Sequence, residues 1–161
     1  MERANARMTW DEYFMSIVEN VAKRATCDMN MNGAIIVKDK RILSTGYAGA
    51  PTGLPHCSEA GHMLEDVRHA DGVKEQQCLR VTHAAINAIV QAAKHGIKID
   101  GATTYCKIEP CLTCAKAIIN AGIKRVVALR ENRDSRESRR FFGQASIRLE
   151  IVEPGIEEWE G

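Results

Sequence analysis

The segment ATTYCKIEPCLTCAKAIINAGIKRVVAL, residues 102–129, decides the fold because it reads as a strand, a helix and a second strand. The first strand covers 102–108, the helix runs from about Cys111 to Ala121, and the next strand covers 125–129. Gly122 marks the end of the helix. Strands joined through a crossover helix pair in parallel, so we predict a sheet with parallel members.

The same alternation continues on both sides of this segment. A helix from about His83 to His95, stopped by Gly96, comes before it, and an Arg-rich helix at 135–142 with a last strand at 147–152 comes after it. This order predicts the α/β class, with a mixed five-stranded sheet covered by helices on both faces in three α/β/α layers.

The N-terminal part predicts a helix followed by a β-hairpin. Thr9 and Glu12 have the spacing of a capping box before a helix with one apolar face. Strands at 33–39 and 41–47 flank a short turn, and their glycines predict close backbone approach or a bulge. Residues 48–80 show no periodicity, and we expect an irregular loop that is functional or held by other groups.

Composition excludes several classes of protein. The 161 residues suit one domain, 1–161, with frayed ends at 1–8 and 154–161. A net charge of +1 argues against a general nucleic-acid surface, and the basic stretch 124–140 is interpreted as a solvated helix face. Without a long apolar run or leader, we expect a cytoplasmic protein with no membrane contact. Its six cysteines then favour metal ligands or buried thiols over disulfides.

His83, Cys111 and Cys114 supply one imidazole and two thiolates at the starts of two helices. Zinc binds such ligands tetrahedrally, and a catalytic site keeps its fourth position open for water. A helix N-terminus also stabilises thiolates. The sequence therefore predicts a catalytic zinc site, against the alternative of a buried cysteine pair and an unrelated histidine.

These motifs resemble the zinc nucleobase deaminases, which carry H-x-E followed by P-C-x-x-C. The stretches GAIIVKDKRILSTGYAGAPTGLPHC (33–57) and EPCLTCAKAIINAGIKRVV (109–127) are similar to the deoxycytidylate (dCMP) deaminase branch of the cytidine deaminase superfamily. The resemblance implies a cytidine-deaminase-like fold in a single zinc-dependent domain. It also implies hydrolysis of a cytosine nucleotide to the uracil nucleotide and ammonia, with a glutamate beside the zinc moving the protons.

Ala85 stands where the family pattern has this glutamate. An alanine holds no proton, so we expect the chain to be nearly inactive. Two interpretations stay open: an engineered Glu→Ala change that traps intact substrate, and a natural pseudo-enzyme that keeps its zinc.

Other substrate contacts follow from the resemblance alone. Ala48 replaces an asparagine expected to bond the sugar, which leaves the identity of the substrate open. The expected neighbours of the base and sugar are Asn32, the backbone of Ala34, Thr45 and Tyr47. Arg24 and Lys38 could meet a phosphate or lie on the surface, and Asn87 is expected to be structural.

The branch often holds a second, structural zinc, which implies a ligand set of Cys27, Cys57, His62 and Cys78. His56 and His69 are rival ligands, separate buried thiols are the alternative, and Cys106 is expected in the core.

A homo-oligomer and a nucleoside triphosphate effector are further implications. The alternatives are a deaminase of another or modified heterocycle and a non-catalytic zinc protein that binds nucleotides.

Overall fold

The computed structural model describes residues 7–153. The helices are α1 (Trp10–Ala22), α2 (Cys57–Ala60), α3 (Ala84–Lys94), α4 (Leu112–Asn120) and α5 (Arg136–Gln144). The strands are β1 (Gly33–Lys38), β2 (Arg41–Tyr47), β3 (Leu64–Arg68), β4 (Lys74–Cys78), β5 (Thr103–Ile108), β6 (Arg125–Arg130) and β7 (Arg148–Ile151). Of the predicted frayed ends, 1–6 and 154–161 lie outside the described residues, and residues 7 and 8 belong to no helix or strand.

The main sheet has five strands in the order β2-β1-β5-β6-β7. Strand β1 is antiparallel to β2 and β5, whereas β5, β6 and β7 run parallel. The connection from β5 to β6 passes through α4, and that from β6 to β7 passes through α5. The predicted mixed α/β sheet is confirmed.

Helices cover both faces of this sheet, as predicted. On one face α1 packs against alternate residues of β1, β5 and β6; this core comprises Phe14, Met15, Val18, Ile35, Val37, Tyr105, Val127 and Leu129. On the other face α3, α4 and α5 pack against the intervening positions, among them Ala34, Ile36, Cys106 and Val126. This second layer brings the starts of α3 and α4 together.

Two glycines allow helices to lie close against the sheet. A Cβ at Gly33 would come within 2.6 Å of the backbone nitrogen of Ala22 in α1. At Gly46 it would clash with the backbone of α3 at Ala84 and Ala88. The predicted close approach is confirmed at both positions, although the bulge of this hairpin lies elsewhere, between Ile36 and Val37.

The prediction of an irregular segment at 48–80 is wrong for the residues of α2, β3 and β4. Strands β3 and β4 form an antiparallel hairpin there, and α2 adds one helical turn. Nearly all residues of both strands are exposed, so neither strand has the apolar alternation that predicts a half-buried strand. Within residues 7–153, no helix is long and apolar enough to span a bilayer.

Candidate functional site

His83, Cys111 and Cys114 converge as predicted. His83 is the N-cap of α3, Cys111 is the N-cap of α4, and Cys114 lies in the first turn of α4. The His83 Nδ1 atom lies 3.5 Å from the Cys111 Sγ and 3.4 Å from the Cys114 Sγ. All three ligand atoms fall within 4.8 Å of one another, so a single ion can contact them together.

The electrostatics of this cluster favour a thiolate. Hydrogen bonds from Cys114 and then from His83 lower the pKa of Cys111 to about 4, in spite of its burial. The bond to Cys111 in turn raises the pKa of His83. The α4 N-terminus adds stabilisation for negative charge at this point.

The donor set fits zinc. One imidazole nitrogen and two sulfurs match the ligand types of catalytic zinc sites, which use three protein ligands and leave one position for water. Position 85 lies two residues after His83 in the first turn of α3, so its side chain borders the same cluster. The methyl group of Ala85 is all that the sequence provides there.

A cleft of about 940 Å³ opens over the metal cluster. His83, Ala85, Cys111 and Cys114 line its floor, the β3–β4 hairpin lines one wall, and the loop between β6 and α5 lines another. This volume lies in the range of small-molecule sites. The arrangement can hold a ligand of nucleotide size against a metal ion.

Glu109 is a residue of this cleft that sequence reasoning missed. Its side chain is fully buried, and Arg139 donates to it from Nε at 2.6 Å and from Nη2 at 2.9 Å. The backbone N–H of Asn132 donates to the same carboxylate at 3.1 Å. Glu109 directly precedes Pro110 and Cys111, so these bonds attach the metal-binding turn to α5. Its place before the Pro-Cys motif was the only signal in the sequence.

The second predicted ligand set also converges. The ligand atoms of Cys27, Cys57, His62 and Cys78 lie within 4.8 Å of one another. Cys27 Sγ lies 3.6 Å from His62 Nδ1, and the sulfurs of Cys57 and Cys78 are 3.6 Å apart. The other ring nitrogen of His62 lies 3.0 Å from an Asp28 carboxylate oxygen, the partner that orients many zinc-binding histidines. Burial raises the pKa of Cys57 to about 12, so metal binding would have to displace its proton.

The rival ligands His56 and His69 stand outside this cluster. His56 is the N-cap of α2. His69 is buried between two carboxylates, those of Glu75 and Asp134. Cys106 is buried in the core, as predicted.

The predicted substrate residues fall in four different places. Asn32 lines the cleft, where its Oδ1 accepts from the N–H groups of Gly33 and Ile108. Ala34 is buried in β1. Thr45 and Tyr47 line a separate cavity of about 470 Å³ between β2 and α3. Ala48 is buried beside Cys27 and Cys57.

The remaining residues considered as contacts, Asn87, Lys38 and Arg24, do not line the main cleft. Asn87 Nδ2 donates to the carbonyl oxygens of Tyr47 and Thr82, as expected of a structural residue. Lys38 Nζ donates to the carbonyl oxygen of Asp100, and neither Lys38 nor Arg24 lines the two cavities. The cations that line the main cleft are Lys74, Arg133 and Arg136.

A zinc-type His-Cys-Cys cluster at the helix starts of a mixed α/β sheet defines the class of zinc-binding deaminase folds. The sequence model of the cytidine and deoxycytidylate deaminase zinc-binding region matches residues 8–130. The chain therefore belongs to the cytidine and deoxycytidylate deaminase zinc-binding family.

Individual relatives agree with this assignment. The chain is 37% identical to the ComE operon protein 2 of Bacillus subtilis, over 91% of this chain and 73% of that protein. It is also 37% identical to the deoxycytidylate deaminase of Mycobacterium phage D29, over 79% of this chain and 99% of that one. The structure is similar to the dCMP deaminase of cyanophage S-TIM5 in complex with dCMP and dUMP (TM-score 0.73, 30% identity, 91% and 99% covered).

Proposed function

We propose that this fold serves the hydrolytic deamination of a dCMP-type nucleotide to the uracil nucleotide and ammonia, and that Ala85 suppresses turnover in this chain. The observation that carries the proposal is the His83, Cys111 and Cys114 cluster at the floor of a nucleotide-sized cleft. The phage relatives that act on or bind dCMP support the choice of substrate.

His83, Cys111 and Cys114 would hold the catalytic zinc, which when bound supplies an activated water near neutral pH. Deamination also needs a group that takes a proton from water and delivers it to the base and to the leaving amine. A glutamate at position 85 would reach into the cleft beside His83. Ala85 can neither hold nor move that proton.

The other carboxylates that line the cleft within residues 7–153 all have basic partners in this structure. Each of the acidic side chains that line the cleft is engaged by a cation: Glu75 and Asp134 by His69, Glu109 and Glu131 by Arg139, and Glu137 by Arg140. The same observation favours the second candidate function, a non-catalytic zinc protein that binds nucleotides.

The finer parts of the proposal concern partners and ions. Cys27, Cys57, His62 and Cys78 would hold a second, structural zinc. A homo-oligomer and regulation by a nucleoside triphosphate remain proposals drawn from family resemblance, and a cytoplasmic location remains a proposal drawn from the sequence. Substrate contacts at Asn32, Ala34, Thr45, Tyr47 and Ala48 remain proposals as well.

Ammonia release by the zinc-loaded Ala85→Glu chain tests the substrate. The panel contains dCMP, CMP, deoxycytidine, dCTP and 5-methyl-dCMP, and we expect dCMP to have the highest kcat/KM. Preference for another member of the panel would replace dCMP with that substrate. If the Ala85→Glu chain binds dCMP but turns over no member of the panel, the non-catalytic candidate stands instead.

A further inference from the structure

His69 lies in the turn between β3 and β4, and its ring joins two distant parts of the chain. Its Nδ1 is 2.6 Å from a carboxylate oxygen of Asp134, in the loop between β6 and α5. Its Nε2 is 2.6 Å from a carboxylate oxygen of Glu75, on β4. The side chain of His69 is only 3% exposed, whereas both carboxylates reach solvent.

Only the charged imidazolium satisfies both contacts. A neutral ring carries a single N–H, so one of its nitrogens would present a lone pair to a carboxylate. At 2.6 Å both contacts are short, as expected of charge-assisted hydrogen bonds, whose N–H···O distances are about 2.7–2.9 Å. The protonated ring therefore holds the two walls of the cleft together, and the neutral ring would repel one of them.

The contact between the walls is extended by weaker bonds. The N–H of Ala70 donates to the second oxygen of Asp134 at 3.2 Å. Arg133, from the same loop as Asp134, lies 3.6 Å from Asp71 in the hairpin turn. Thus the charged groups at this junction are Glu75 and Asp71 on the hairpin side, and Asp134 and Arg133 on the loop side.

A chain of hydrogen bonds continues from this junction to the metal turn. The N–H of Asp134 donates to Oδ1 of Asn132 at 3.1 Å. Asn132 in turn donates from its backbone N–H to the Glu109 carboxylate, and from Nδ2 to the Glu109 carbonyl oxygen at 3.2 Å. Glu109 precedes Pro110 and Cys111. The hairpin is therefore connected to the turn that carries Cys111 through the hydrogen bonds of Asp134, Asn132 and Glu109.

We propose that His69 is a positioning residue, a proton-dependent latch that holds the β3–β4 hairpin against the β6–α5 loop and so fixes the wall of the nucleotide cleft. Closure of the latch needs no metal and no substrate. Its consequence for nucleotide affinity rests on the proposed function.

The direction of the pH dependence follows from the surroundings of the ring. Burial opposes its charge, but the hydrogen bonds and charges of Asp134 and Glu75 outweigh that effect and raise the pKa of His69 above 6.5. A raised pKa means that the latch is fully closed below about pH 6.5 and opens as the pH rises through the folded-state value. Between low and high pH, the equilibrium constant for opening of the latch changes about tenfold for each unit by which folding raises the pKa of His69.

Hydrogen–deuterium exchange of residues 64–78 between pH 6 and pH 9, corrected for intrinsic exchange rates, tests the latch. In the chain as given, we expect protection of the hairpin to fall across this range, by about tenfold for each unit by which the His69 pKa is raised, with α1 as the unchanged internal reference. His69→Gln removes the charge, and its hairpin is expected to be weakly protected at every pH.

Asp134→Asn is the decisive variant. Its amide oxygen can keep the bond from Ala70, while its NH₂ can donate to a neutral His69 ring. We therefore expect a hairpin that stays protected up to pH 9. Protection that is independent of pH in the chain as given, or that falls equally in Asp134→Asn, would overturn the latch.

The functional arm uses the binding of dCMP to the zinc-loaded chain. If the latch fixes the cleft wall, the affinity for dCMP falls between pH 7 and pH 9 in the chain as given, and falls less in Asp134→Asn. A latch that opens in the exchange experiment without this difference in affinity would disprove its role in the cleft. Absence of dCMP binding at every pH would instead count against the proposed substrate, and the exchange result would still decide the latch.

Discussion

Glu109 carries a carboxylate that is completely buried directly before the metal-binding turn, and its partner Arg139 is partly exposed on α5. A buried carboxylate without its cation retains the penalty of desolvation. The pair therefore matters more to the metal turn than the exposed ion pairs of the same helix, which contribute little.

Arg139→Ala is predicted to lower the free energy of unfolding by about 2 kcal/mol, because it leaves Glu109 buried with only the Asn132 N–H as donor. Arg140→Ala is the matched control, since Arg140 forms an exposed pair with Glu137 on the same helix; it should cost less than about 0.5 kcal/mol. Urea denaturation of both variants measures the difference. Equal losses would contradict the structural role of the buried pair.

Local residue roles could be predicted from the sequence, and distant ones could not. The capping box of Thr9 and Glu12 involves neighbours in sequence, and both of its hydrogen bonds form. The His83, Cys111 and Cys114 cluster could be predicted because a histidine and a Cys-x-x-Cys pair at successive helix starts match the ligand types of zinc. The partners of His69 lie 6 and 65 residues away, so no local pattern indicates them.

The packing of α3 on β2 positions His83, because His83 is the N-cap of α3. Gly46→Ala is predicted to destabilise the fold by at least about 2 kcal/mol, since its Cβ would clash with the α3 backbone. Gly143→Ala is the control: its Cβ meets nothing within 4 Å in α5, and replacing a helical glycine should stabilise by about 0.5–1 kcal/mol. Thermal denaturation of the two variants should give shifts of opposite sign, and a stable Gly46→Ala chain would contradict this packing.

The second cysteine–histidine cluster joins the loop after α1, the start of α2 and the end of β4. The strands β3 and β4 are polar and bury little apolar surface. Cys57→Ser is predicted to lower the zinc content from about two ions per chain to about one. Because a closed structural site stabilises the fold directly, the variant should also reduce the stability of the segment 48–80. Cys106→Ala, which alters a buried core thiol outside both clusters, should retain both ions. Elemental analysis measures the zinc content per chain. A value of about one ion in the unmodified chain would contradict a second site.

The β3–β4 hairpin explains where sequence reasoning failed at the level of elements. Helices and strands with a buried face were predicted within a few residues of their observed bounds. The hairpin has hardly any buried face, and its attachments include the contacts of His69 and the cluster at Cys78. Such attachments depend on the assembled fold, so they leave no periodicity in the sequence.

Across the whole molecule, Arg125 ties the first helix to the far strands. It donates to both Asp11 oxygens, at 3.0 and 2.7 Å, and from Nε to Glu150 at 3.0 Å. The Arg125 hydrogen bond is the main reason that the pKa of Asp11 lies below its usual value of 3.8. The contact thus joins α1 to both β6 and β7.

A lowered pKa implies a contribution to stability that is present above about pH 4 and is lost as the pH falls through the folded-state value. Asp11→Asn should therefore lower stability at pH 6 and flatten its decline between pH 5 and pH 3. The free energy of unfolding measured against pH checks this, and an unchanged slope would contradict it.

The proposed substrate cleft is a property of the whole molecule, since its floor, its hairpin wall and its loop wall come from distant segments. The residues at the floor of the cleft were predicted from the sequence. Thr45 and Tyr47 were expected beside the substrate, whereas in the structure they line a different cavity. Their proposed contact with the nucleotide would require an approach from that side of α3.

The most direct test of the account is the rate of ammonia release from dCMP by three zinc-loaded chains: the chain as given, Ala85→Glu and Ala85→Gln. Glutamine has nearly the size and shape of glutamate but transfers no proton in this role. We predict that the Ala85→Glu chain releases ammonia about 10²–10⁴-fold faster than either of the other two chains. Equal rates in all three chains would contradict the claim that position 85 is where this deaminase fold lacks its general base.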